Sequence, residues 1–122
     1  MAKAKNYPTP EQDAEFDGYV LKWQKALNLM DWRIERGPTR AKRAMANVAL
    51  SHGDRMAVYR TGCFGQQEIT PRVLESTALH EVVHVFVSEF RHLTAQEKTD
   101  PEVLESAEHR IVITLEKLLL KD

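Results

Sequence analysis

The stretch Thr70-Pro71-Arg72-Val73-Leu74-Glu75-Ser76-Thr77-Ala78-Leu79-His80-Glu81-Val82-Val83-His84-Val85-Phe86-Val87-Ser88-Glu89-Phe90-Arg91 reads as one capped helix. Thr70 is an N-cap, and Pro71 stands at the first helical position, where its missing N–H costs nothing. The apolar set Leu79, Val82, Val83, Phe86, Val87 and Phe90 recurs at helical spacing and predicts a buried stripe. His80 and His84 fall at the border of that stripe, four residues apart and so on one face. Two imidazoles so placed can reach a single metal ion, zinc being the usual occupant. Glu81, between them, is positioned to take a proton from a water molecule that the metal activates. His80-Glu81-Val82-Val83-His84 is therefore an HExxH motif in a helical context, and the chemistry it points to is metal-assisted hydrolysis, most often of peptide bonds.

Working outward, two more segments open on a small polar residue and Pro: Thr9-Pro10 and Asp100-Pro101. In the first, Gln12 completes a capping box with Thr9. Phe16, Val20, Trp23, Leu27 and Met30 then predict a helix from about Pro10 to Asn28 with one buried face. In the second, Leu104, Ile111, Val112, Leu115, Leu118 and Leu119 predict a helix from Pro101 to about Leu120, reached through a polar hinge from Thr94 to Thr99. Between the first two helices the period changes. Trp32 to Arg36 alternates and Gly37-Pro38 breaks it. Ala46, Val48 and Leu50 then share one face, and Ser51-His52-Gly53-Asp54 has turn chemistry before Met56 to Arg60 alternates again. Three short antiparallel strands are expected, the last two a hairpin, with His52 exposed in its turn. The fold class is α+β over residues 1–122 as a single domain.

Composition narrows the function classes. A formal net charge of −1 gives no electrostatic reason to expect nucleic acid. The local basic cluster of Arg33, Arg36, Arg40, Lys42, Arg43, Arg55 and Arg60 reads as a solvated face. Cys63 is the one cysteine, which excludes an internal disulfide and suits a reducing cytoplasm. Met1 to Lys5 is basic but no apolar core follows, so neither a signal peptide nor a membrane span is expected.

A catalytic zinc keeps three protein ligands and one open position, so the motif needs a third partner. The extended pattern HExxHxxGxxH is absent, since Val87 and Phe90 hold its Gly and third His positions. Glu105, Glu108, His92 and His109 remain. At about 100° per residue, Glu108 falls in the middle of the last helix's apolar stripe, with Leu115 and Leu119 about 20° to either side. A carboxylate there is costly unless paired or coordinated. Glu108 is the leading candidate, Glu105 lies at the stripe's edge, and His92 could turn back from beyond the active helix. His109, Arg110, Tyr59 and His92 are candidate oxyanion donors.

HExxH on one helix followed by a Glu ligand on a later helix resembles the gluzincin group of zincin metallopeptidases. The chain is also similar to small zincin-like proteins of phages and prophages. The similarity runs through Leu29-Met30-Asp31-Trp32-Arg33-Ile34, the strands, Ala78 to His84, and Glu108-His109-Arg110-Ile111-Val112. It implies a short sheet beside the active helix, Zn2+ held by His80, His84 and Glu108, Glu81 as general base, and a peptide or protein substrate. Thermolysin-like members carry an Asp four residues after the Glu ligand, where this chain has Val112, and larger members add a domain that forms half the cleft. Both departures favour a narrow substrate, an exposed loop or a partner-assisted cleft over general proteolysis; the alternative is a non-catalytic zincin-like metal-binding module acting in protein recognition.

Overall fold

The computed structural model describes residues 5–96 and 98–120. The first four residues of the basic N-terminal stretch and Glu97 of the polar hinge lie outside that range. The elements are α1 (Pro10–Ala26), β1 (Arg33–Arg36), β2 (Ala46–Ser51), β3 (Met56–Thr61), α2 (Pro71–Thr94) and α3 (Pro101–Leu119). Each helix starts where its cap was read. Thr9 and Gln12 form the reciprocal capping box, Thr70 accepts from Val73 N, and Asp100 accepts from Glu102 N. Helix α1 ends two residues earlier than its periodicity suggests, because Asn28 takes a left-handed conformation with φ 60° and turns the chain. Met30 is consequently 58% exposed. Gln24 is buried instead, and its Nε2 donates to the carbonyls of Leu29 (3.1 Å) and Trp32 (2.9 Å), fastening the link to β1.

The sheet is mixed, not antiparallel. Its order is β1-β3-β2, with β2 antiparallel to β3 and β1 parallel to β3. The strands alternate in direction along the chain, so inserting the third between the other two makes the β1–β3 pair parallel. The loop 37–45 carries the chain across to the far edge, leaving room for β3. Two hydrogen bonds close that crossing, Ala41 N to Thr61 O at 3.0 Å and Gly62 N to Met45 O at 2.7 Å. A Cβ on Gly62 would collide with the carbonyl oxygens of Ala44 and Ala41, so the loop packs there only against glycine.

Ala57, Tyr59 and Thr61 of β3 face the core. With Phe16 and Val20 of α1, Leu74, Ala78, Val82, Val85 and Phe86 of α2, and Leu27, Leu29, Trp32 and Phe64 of the connections, Ala57 and Tyr59 form one buried cluster. The face of α2 that packs is rotated from the expected stripe. Leu74, Ala78, Glu81, Val82, Val85 and Phe86 are buried, whereas Val83 and Val87 are exposed. Packing from two sides explains the shift, since α1 and the sheet both rest on α2. The rotation carries Glu81 inward and leaves His80 and His84 on the open flank.

Helix α3 packs on α2 by a different face from the one its apolar pattern suggests. Ala107, Ile111, Thr114 and Leu118 turn inward, while Val112, Leu115 and Leu119 stay exposed. A charged cluster sets this orientation. Arg110 pairs with Asp31 (3.0 Å) and Glu89 (3.5 Å), and Arg55 pairs with the same two carboxylates (2.6 and 3.5 Å). Elsewhere the arginines of the middle segment are also engaged: Arg36 binds Asp17 at 2.9 Å and Arg40 binds Asp13 at 2.9 Å. Tyr59 donates to Asp17 at 2.6 Å, and burial, followed by that bond, raises its phenol pKa.

Candidate metal centre

A cleft of about 600 Å³ separates β2 from α2. Ala46, Asn47, Val48, Leu50 and His52 line one wall; His80, Glu81, His84, Val87, Ser88, Arg91, His92 and Ala95 line the other. The motif histidines converge there. Their Nε2 atoms lie 3.2 Å apart with the rings nearly perpendicular, at 82°. Two nitrogens bound at about 2.0–2.1 Å to one tetrahedral zinc ion are separated by about 3.3 Å. The separation of the donor pair thus matches that required by a single zinc ion, and α2 provides the spacing, one helical turn.

Glu81 sits beside the pair and deeper, 7% exposed. Its neighbours are apolar or aromatic: Val20, Ile34, Val48, Tyr59, Val82 and Val85 line the space below it. No described residue shares a hydrogen bond with its carboxylate. Burial raises its pKa, opposed by the nearby His80 and His84. A carboxylate held in an apolar seat at the edge of a cleft keeps its proton more readily than an exposed one.

Glu108 does not join them. It is exposed on α3, roughly a quarter turn from the face that packs, so the expectation that its position in the stripe would turn it inward is corrected. The reason is energetic competition. α3 carries more apolar residues than one face can hold, and the Arg110 pairs with Asp31 and Glu89 select the face. Glu105 is exposed as well, and among the described residues no third His, Cys, Asp or Glu groups with the histidine pair. His92 lies in the same cleft but two helical turns beyond His84, about 12 Å along the axis. Of the four candidate oxyanion donors only His92 lines the cleft. Tyr59 and Arg110 are engaged with carboxylates, and His109 borders a separate groove between the end of α1 and α3.

His52 is not an exposed turn residue. The hairpin folds over the last turns of α2, so His52 stacks on His92 (centroids 4.2 Å apart, planes within 8°) and meets Trp32 edge-on at 5.6 Å. Burial, then the charge of His92, holds its pKa below the usual histidine value.

Three features of the cleft are absent from the sequence reading. Asn47 lines it from β2, its side chain on the sheet face opposite that of Ala46, Val48 and Leu50. Arg91 lies on the same helical face as His80 and His84, seven residues past the second histidine; that spacing was available as a signal. The third is the strand edge. Since Gly62 N donates to Met45 O and the register continues from that pair, Asn47, Ala49 and Ser51 direct their backbone groups at β3. The N–H and C=O groups of Ala46, Val48 and Leu50 therefore face outward, along an edge that no further strand covers among the described residues. No family model, curated protein or solved structure matches this chain.

Proposed function

We propose that this protein is a zinc-dependent peptidase of the zincin type, with His80 and His84 as zinc ligands and Glu81 as general base. The observation that carries the reading is the 3.2 Å approach of the two Nε2 atoms beside a buried carboxylate that has no hydrogen-bond partner among the described residues. Zinc bound there would acidify a water molecule and polarise a substrate carbonyl. Glu81 accepts the proton of the attacking water and returns it to the leaving amine, a task for which its raised pKa suits it. The free edge of β2 offers an extended peptide the backbone groups of Ala46, Val48 and Leu50. A peptide or protein is accordingly the substrate class.

The second reading, a metal-binding module that recognises protein without cleaving it, is favoured by one observation: the described residues provide two ligands and not three. One experiment separates the two. Wild type and Glu81→Gln are loaded with zinc, their metal content is measured by elemental mass spectrometry, and cleavage of a synthetic peptide library is followed. Equal zinc with loss of cleavage in the variant supports the peptidase. Zinc binding without cleavage by either protein supports the module.

A further inference from the structure

The two ends of the cleft differ in chemistry. At one end stand His80, Glu81 and His84; at the other stand Arg91, His92 and His52. Arg91 is exposed, and no carboxylate among the described residues forms an ion pair with it. The partial negative charge at the end of α2 offsets only a fraction of one cation. The arginines of the neighbouring cluster are satisfied by contrast, Arg55 and Arg110 both sharing Asp31 and Glu89. We infer that Arg91 forms a subsite for an acidic side chain of the substrate. This rests on the peptidase reading and assigns its specificity.

The geometry gives the position of that side chain. Arg91 lies about 10 Å along the helix axis from His84. An extended chain advances about 3.3 Å per residue, so the same distance spans about three residues. The direction follows from the strand. β2 ends at the turn that stacks His52 on His92, while Val48 lies beside Glu81, so β2 and α2 run in the same sense along the cleft. A substrate pairing antiparallel with the edge of β2, the more stable arrangement, runs from the Arg91 end towards the histidine pair. Its acidic residue therefore lies on the N-terminal side of the cleaved bond, two to four residues away. A guanidinium recognises a carboxylate there by paired, charge-assisted hydrogen bonds.

The test uses neutral synthetic peptides in which each position around the cleaved bond carries Glu, Ala or Lys in turn. For zinc-loaded wild type, kcat/KM for Glu over Lys at the favoured position is expected to be about tenfold or more, as one charge-assisted hydrogen bond supplies. The ratio should fall to about one in Arg91→Ala and invert in Arg91→Glu, with Arg91→Lys restoring part of it. The same peptides are titrated by fluorescence anisotropy against zinc-loaded Glu81→Gln, with and without Arg91→Ala, where the Kd ratio should follow the same order. Cleavage with no acidic preference, or a preference that survives Arg91→Glu, overturns the subsite and leaves the peptidase reading standing. A preference on the C-terminal side overturns the antiparallel placement. Neither cleavage nor binding of any peptide overturns both the peptidase reading and the subsite.

Discussion

Glu81→Gln makes two claims testable at once, because the same burial that suits Glu81 for proton transfer should destabilise the metal-free fold. The substitution keeps the shape and removes the charge. In the folded chain the carboxyl pKa is raised by burial, with His80 and His84 opposing the shift. Below the ordinary carboxylate range, near pH 4, folded and unfolded states both hold the proton and Glu81 carries no penalty. As pH rises through that range towards the raised folded value, the unfolded chain releases its proton first and stability is lost. Gln carries no such loss. A buried polar group left unpaired costs about 1–3 kcal/mol and a charge more, and Gln still leaves an amide there, so metal-free Glu81→Gln should be the more stable protein at pH 7 by the excess, about 1–3 kcal/mol. At about 4 °C per kcal/mol for a chain of this length, its melting temperature should be higher by about 4–12 °C. The gap should close below about pH 4. The assay is thermal unfolding followed by circular dichroism from pH 3 to 8 with a chelator present. With zinc, the variant should keep its metal and lose about 10²–10⁴-fold in kcat. A melting difference that does not change with pH would refute the buried-charge argument, and undiminished cleavage would remove Glu81 from the base role.

Other outcomes follow from the same geometry. His80→Ala and His84→Ala should each abolish tight zinc binding, seen as loss of metal after dialysis and of zinc-dependent stabilisation in thermal melts. Glu108→Ala and Glu105→Ala, both on the open side of α3, should leave zinc affinity within about twofold, a change of about 0.4 kcal/mol; a drop of orders of magnitude in Glu108→Ala, read by competition with a chromogenic chelator, would mean that α3 repacks when zinc binds. Leu74→Ala, at a site 1% exposed in the centre of the cluster, should cost about 2–5 kcal/mol in urea unfolding; a cost below 1 kcal/mol would place Leu74 outside the core.

Much of this protein was legible in one dimension because the relevant physics is local. Thr9, Thr70 and Asp100 bond to N–H groups two or three residues away, so all three helix starts could be read from caps and prolines. The Ser51–Asp54 turn and the flanking alternation marked the hairpin for the same reason. The one-turn spacing of His80 and His84 already implied the convergence seen in the fold. What required the tertiary structure was every choice among competing partners. Strand order depended on where the loop 37–45 could cross, which no pattern within a strand records. The face of α3 was selected by Arg110 reaching Asp31 and Glu89, residues 79 and 21 positions away in the chain, against an apolar stripe that pointed elsewhere. That long-range pairing turned Glu108 outward. Likewise, His52 meets His92 and Arg91 shares a cleft with the edge of β2 only because the hairpin folds over the end of α2. Sequence periodicity determines which residues of an element share a face; the packing of other elements decides which face is used.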